Sequence, residues 1–253
     1  MNVFLTFDVE IWCNDWKALD ERFPDAFARY VYGRSPAGDY ALPKTLEILN
    51  LHGLRGVFFV EPLFAARFGV ERPAEVTGLL RDAGQEVQMH LHPEWTDEIR
   101  PSIFPAKPFK RQHLIHYSRE EQTELLRRGL PQLADAGNTG ITAFRAGSFA
   151  ANADTLAAVQ ACGLQLDSSL NMVYPHSGED VRREGEFYFP RRRNGLQLLP
   201  MTVFRDGLGR LRHAQVGACS TAEFSEAIED SAARGHPCFT ILSHNFEMLR
   251  AGA

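Results

Sequence analysis

The residues with the clearest chemical potential lie in one short segment, residues 88–95, which reads QMHLHPEW. It places two imidazoles, His90 and His92, close to the carboxylate of Glu94. Two or three such ligands with one open coordination position are typical of a catalytic zinc site. Two imidazoles that are buried together also need a ligand or a partner. The segment therefore predicts a divalent metal site at the end of a buried strand.

Other polar residues that could serve this chemistry directly follow apolar runs elsewhere in the chain, namely Asp8, Glu10, Arg145, Asp167 and His244. A divalent ion lowers the pKa of water and polarises a carbonyl group. A nearby carboxylate could act as general base, and a histidine could protonate the leaving group. The set predicts metal-assisted hydrolysis of an amide or an ester.

The elements that must position these side chains alternate between strand and helix. Apolar runs predict strands at 3–7, 56–60, 86–89, 141–144, 164–166, 195–204 and 238–242. Helical spacing and capping residues predict helices at 40–51, 73–83, 118–136, 155–162 and 220–233. This alternation predicts a parallel sheet with crossover helices, and the carboxyl ends of its strands meet at one face. We expect a (β/α) barrel, which need not have eight units, with a doubly wound open sheet as the alternative.

Three stretches show no clear period. Residues 11–40 are rich in aromatic side chains, residues 96–117 hold several prolines, and residues 171–194 resemble a loop or a hairpin. A loop as long as the first of these is usually functional or forms a lid.

Composition limits the classes of partner. The 253 residues carry a formal net charge of -5, which argues against nucleic acid or an anionic membrane as the main partner. No apolar run is long enough to cross a bilayer, and Met1 leads directly into the first apolar run without a signal peptide. The four cysteines show no paired spacing and are expected to be reduced. We expect one cytoplasmic domain over residues 1–253; its oligomeric state is left open.

Five segments of the chain resemble the signature motifs of the polysaccharide deacetylases, also called the NodB-homology or carbohydrate esterase family 4 proteins. They are TFDVE at 6–10, HLHPE at 90–94, RAGSF at 145–149, DSS at 167–169 and LSH at 242–244. The resemblance spans nearly the whole chain. Each match is partial, because the family has a second aspartate where this chain has Val9 and a proline where it has Gly147.

The resemblance implies a role for each candidate residue. Asp8 would be the catalytic base, oriented by Arg145, and His244 would be the general acid. Glu10 would replace the second aspartate as a metal ligand, and His90 matches the first histidine ligand. The third ligand would be Glu94 by register or His92 by chemistry, since imidazole suits zinc better.

The family also implies the reaction. It implies a distorted (β/α) barrel that uses a divalent ion, here Zn²⁺, to remove an N-acetyl group from an amino sugar or a glycan precursor. Asp167 would tune the charged partners, and a backbone N–H near Ser148 would hold the oxyanion. Two other readings stay open. One is an amidohydrolase that acts on a small non-sugar C–N bond, and the other is a degenerate fold that binds carbohydrate without turnover.

Overall fold

A computed structural model describes residues 1–13, 15–174, 181 and 189–249. Its strands are β1 (Asn2–Val9), β2 (Arg34–Ser35), β3 (Gly38–Asp39), β4 (Gly56–Val60), β5 (Glu86–Leu91), β6 (Ala143–Ala146), β7 (Leu166–Asp167), β8 (Arg191–Arg193), β9 (Leu196–Leu198), β10 (Val203–Arg205), β11 (Leu211–His213) and β12 (Cys238–His244). Eight of them form one sheet in the order β12-β1-β4-β5-β6-β7-β9-β8. All neighbours in it are parallel except β8 and β9.

The helices lie between successive strands along the chain. The α-helices are α1 (Leu19–Phe27), α2 (Leu42–Leu51), α3 (Ala65–Phe68), α4 (Glu71–Asp82), α5 (Arg119–Asp135), α6 (Ala153–Ala161) and α7 (Thr221–Ala233). A π-helical turn spans Ala28–Tyr32, and 3₁₀ turns span Pro93–Glu98, Leu114–His116, Gly147–Phe149 and Val216–Ala218. Capping boxes start α5 at Ser118 and α7 at Ser220, as their sequence predicts. Among the described residues, no helix has both the length and the apolar character needed to span a bilayer.

The strand order identifies the fold as a distorted (β/α) barrel. Each crossover moves the sheet one strand further in the same direction, and the last long strand returns beside the first. A doubly wound sheet would instead reverse direction at a central strand. The curled sheet stays open, because no pairing joins β8 to β12 within the described residues. A single domain over residues 1–253 stays a prediction.

Apolar side chains from the central strands form the core beneath the site. Phe58 and Val60 of β4, Met89 and Leu91 of β5, and Phe144 of β6 are all fully buried. Strands buried on both faces read as nearly continuous apolar runs, which is why the sequence locates them well.

Two predicted segments differ from the observed elements, and a third lies partly outside the described residues. The predicted loop at 11–40 contains α1 and the β2–β3 hairpin, and Pro24 inside α1 disguises the helix in the sequence. The predicted strand at 195–204 is two strands, β9 and β10, because Pro200 cannot donate to a ladder. Residues 175–180 and 182–188 of the predicted 171–194 loop lie outside the described residues.

Candidate active site

One carboxylate oxygen lies between two imidazoles at the carboxyl ends of β1 and β5. Oε1 of Glu10 is 3.0 Å from Nε2 of His90 and 2.9 Å from Nε2 of His92. These three residues, the cation cluster, are buried, and their ligand atoms lie within 4.8 Å of one another. His90 and His92 share a face because side chains two apart on a strand point the same way.

The hydrogen bonds of His90 define what its second ring nitrogen can do. Nδ1 lies 2.9 Å from the carbonyl oxygen of Arg145, so Nδ1 must be the donor. In the neutral ring, Nε2 then carries a lone pair that faces the oxygen of Glu10. Two acceptors in this position are stable only with a proton or a cation among them. The residues present therefore fit a divalent ion.

The side chain of His92 is confined on several sides. Its ring lies edge-on to Trp12 with 5.0 Å between centroids. A Cβ atom at Gly147 would come within 2.7 Å of its Cε1 and Nδ1 atoms, so only glycine leaves room for the ring. Its backbone N–H donates to Glu61. The ring is consequently held toward Glu10.

Glu94 lies behind His92 rather than beside Glu10. Its Oε2 is 3.3 Å from Nδ1 of His92, and neither atom has a well-angled hydrogen bond among the described residues. Glu94 belongs to neither candidate metal group found in that part of the chain. A carboxylate on the far ring nitrogen is the usual outer-shell partner of a ligating histidine.

Charges within the cluster shift the pKa values of its members. Burial alone would raise the pKa of Glu10, but the charge and hydrogen bonds of His92 and His90 outweigh burial and hold it well below its usual range. Burial would lower the pKa of His92, yet the neighbouring Glu10 raises it well above the usual value. Both shifts favour an imidazolium–carboxylate pair of His92 and Glu10 when no cation is bound.

Asp8 forms an ion pair with the fully buried Arg145. Nη1 of Arg145 donates to Oδ1 of Asp8 at 2.6 Å. Nη2 donates to Thr6 and to Ser168, each at 3.0 Å. The guanidinium lies 4.2 Å from the ring centroid of Phe59. These contacts hold the carboxylate of Asp8 in one orientation.

His244 is the last residue of β12 and belongs to the same site. Its Nδ1 lies 2.7 Å from Oε1 of Glu247. Burial would lower the pKa of His244, but the hydrogen bond to Glu247 and the charges of Glu10 and Asp8 outweigh burial and raise it. Asp8, Glu10 and His244 also place their ligand atoms within 4.8 Å of one another. The proposed base, acid and metal ligands therefore share one small volume.

Asp167 is buried away from this volume. Its carboxylate accepts hydrogen bonds from the backbone N–H and the hydroxyl of Ser169, at 2.9 and 2.8 Å. Burial raises the pKa of Asp167 to about 6, although the bonds from Ser169 oppose the shift. Ser169 in turn accepts the N–H of Ala146 at 2.9 Å. Asp167 thus braces the ends of β6 and β7.

Three residues that matter for the geometry were not predicted from the sequence: Glu61, Asn245 and Glu247. Glu61 follows β4 and accepts backbone N–H groups, and burial raises its pKa to about 8. The side chain of Asn245 accepts the N–H of Glu10 at 3.0 Å and donates to its carbonyl at 3.2 Å. Glu61 and Asn245 directly follow β4 and β12, and that position was the available signal, whereas Glu247 lies further along the turn after β12.

The backbone near Ser148 is strained where the oxyanion donor is predicted. Ser148 and Phe149 have φ angles of 54° and 53°, which are uncommon for residues other than glycine. Strain of this kind clusters at functional sites. The oxyanion role stays a prediction.

Structural comparison relates the chain to known proteins. A Mycobacterium smegmatis protein that is provisionally assigned as a polysaccharide deacetylase matches with a TM-score of 0.56 and 20% identity, over 97% of this chain and 77% of that one. The chain has the polysaccharide deacetylase fold. A Streptomyces lividans family 4 carbohydrate esterase, solved with acetate, matches at 18% identity and a TM-score of 0.42, over 67% of this chain and 62% of that one.

The same fold also carries a different chemistry. A 4-alpha-glucanotransferase from Thermococcus litoralis matches at a TM-score of 0.55 and 10% identity, over 98% of this chain and 33% of that one. No protein-family profile matches the sequence, and no curated protein does so significantly. The fold alone therefore does not decide the activity, which has to be argued from the site.

Proposed function

We propose that this protein is a metal-dependent hydrolase that removes an N-acetyl group from an amino sugar or a glycan precursor. The observation that carries the proposal is the position of Glu10, which belongs both to the group with His90 and His92 and to the group with Asp8 and His244. A candidate cation site and the proposed base and acid are thus arranged around one carboxylate, an arrangement that suits metal-assisted amide hydrolysis.

We propose Glu10, His90 and His92 as the ligands, with Glu94 as the outer partner of His92. Two imidazoles and one carboxylate form a zinc-type set with an open position. When bound, the ion would supply Lewis acidity, which polarises a carbonyl and lowers the pKa of water.

The chain's own residues would move the protons. Asp8, oriented by Arg145, accepts a proton from the attacking water. His244 donates a proton to the departing amine nitrogen as the C–N bond breaks. The products are acetate and the free amine. A backbone N–H near Ser148 would stabilise the oxyanion that forms on the acetyl carbonyl.

The test combines metal analysis with acetate release. The purified protein is assayed for bound zinc and for acetate release from N-acetylglucosamine oligomers, beside Asp8→Asn. We expect about one zinc per chain in both proteins and, since general bases contribute about 10²–10⁴-fold, a loss of that order in the variant.

Three outcomes would contradict parts of this proposal. Loss of zinc in Asp8→Asn would make Asp8 a ligand. Activity on small amides without any metal would favour a metal-free amidohydrolase. Zinc binding without hydrolysis of any acetylated sugar would favour a carbohydrate-binding protein of the same fold.

A further inference from the structure

We propose that Glu247 is the positioning residue for His244. This inference rests on the proposed function for its catalytic meaning, although the geometry stands by itself. Glu247 lies in the turn after β12, three residues beyond the histidine, and Nδ1 of His244 is 2.7 Å from its Oε1.

The carboxylate of Glu247 is itself held in place by a built set of donors. Oε1 also accepts the side-chain amide of Gln215. Oε2 accepts the backbone N–H of Gly217 at 2.8 Å and the hydroxyl of Ser243 at 3.2 Å. A Cβ atom at Gly217 would come within 3.2 Å of Oε2, so the segment approaches as closely as glycine allows.

These contacts determine the tautomer of His244. A carboxylate can only accept, so Nδ1 of the histidine donates to it. The neutral ring then carries its lone pair on Nε2, which can take up and release a proton in the reaction. Burial would raise the pKa of Glu247, but the hydrogen bonds from His244 and Gln215 outweigh it and keep the group charged.

Asp167 cannot take this role in the described geometry. Both of its carboxylate oxygens accept from Ser169, and its side chain is fully buried between β6 and β7. His244 and Glu247 lie close together in the chain. Gln215 and Gly217, which precede α7, hold the carboxylate of Glu247 in place. The turn after β12 therefore contacts both the general acid, through Glu247, and the backbone of Glu10, through Asn245.

The first test reads the tautomer directly. Long-range nitrogen-15 NMR of wild-type protein should show the neutral His244 ring protonated on Nδ1, and Glu247→Ala should lose that preference. Glu226→Gln, an exposed change on α7, serves as the control and should leave it unchanged. A wild-type ring protonated on Nε2, or an unchanged tautomer in Glu247→Ala, overturns the inference.

The second test separates an acid defect from general damage. Glu247→Gln should lower kcat on an N-acetyl amine about 10- to 100-fold, a part of the usual general-acid contribution, with zinc content unchanged. Its activity on 4-nitrophenyl acetate should change less than about threefold, because that leaving group needs no proton. Equal losses on both substrates overturn the inference.

Two outcomes need a separate measurement or interpretation: a variant that does not fold, and a protein that releases no acetate. If Glu247→Ala fails to fold, Gly217→Ala supplies a milder displacement of the same carboxylate for the NMR measurement. If the tautomer behaves as expected but no protein releases acetate, the proposed function fails while the positioning of His244 stands.

Discussion

The cation cluster at the ends of β1 and β5 differs from the His244–Glu247 pair at the end of β12 in how far its side chains are buried. Side chains of the cluster are 1% exposed for His90, 5% for His92 and 8% for Glu10. The side chain of His244 is 17% exposed, and its partner lies on a turn. A buried set of ligand atoms suits the binding of an ion. A side chain that exchanges protons with a substrate must be accessible to that substrate. The two groups therefore differ in how far solvent reaches their side chains, although Glu10 links them.

The strongest test of this comparison removes one histidine from each side. His90→Ala should lower zinc affinity by more than about 100-fold, because losing a ligand exceeds the usual effect of an outer-shell change. His244→Ala should change it less than about twofold. Competition against a zinc-binding dye measures both. Equal losses would mean that His244 is a ligand as well as His90, and a loss confined to His244→Ala would mean that the group of Asp8, Glu10 and His244 holds the ion instead.

The second prediction concerns the buried ion pair between Arg145 and Asp8. Arg145→Met should cost about 3–5 kcal/mol of unfolding free energy, because it leaves Asp8 charged and unpaired in the core. Arg128→Met is the matched control: its pair with Glu124 is exposed, so about 0.5 kcal/mol is expected. Urea titrations give both values. Similar costs for the two variants would show that water reaches Asp8.

A smaller loss of zinc affinity is expected at Glu94, and it tests whether this residue is a ligand or the partner of His92. Glu94→Gln should weaken zinc binding about 10- to 100-fold, as is typical of an outer-shell partner of a histidine ligand. Glu124→Gln on the surface of α5 should have no effect. If Glu94→Gln abolishes binding as completely as His90→Ala, the carboxylate is a ligand and the role proposed for it is wrong.

The smallest effect is a pH dependence of ion binding. The raised pKa of His92 means that the metal-free ring holds a proton at neutral pH, and the ion must displace it. Affinity should therefore rise with pH, by about tenfold per unit for one proton, and level off above that pKa. Calorimetry in buffers of different ionisation enthalpy counts the protons released. His92→Ala should release fewer, and equal release by both proteins would contradict the assignment.

Part of the site follows from the sequence because strand periodicity is local. Residues two apart on a strand share a face, which places Asp8 with Glu10 and His90 with His92. Parallel strands deliver such residues to one edge, so their convergence follows from the alternation of strands and helices. The fold class was confirmed for the same reason.

Other parts depended on the turns that follow the strands. Glu94 lies in the 3₁₀ turn Pro93–Glu98, so its direction is not set by strand alternation. Asn245 and Glu247 come after β12, where no period constrains a side chain. Their partners Glu10 and Gln215 are far away in sequence, and only the packed strands bring them together.

By itself, the sequence determined the barrel and the residues that meet at its carboxyl face, because both depend on short-range patterns of apolar and polar residues. Tertiary structure alone decided that His92 faces Glu10 while Glu94 stands behind it, and that Glu247 contacts His244. Those choices depend on loop paths and on close approaches such as that of Gly147 to His92, which are set by packing between distant segments.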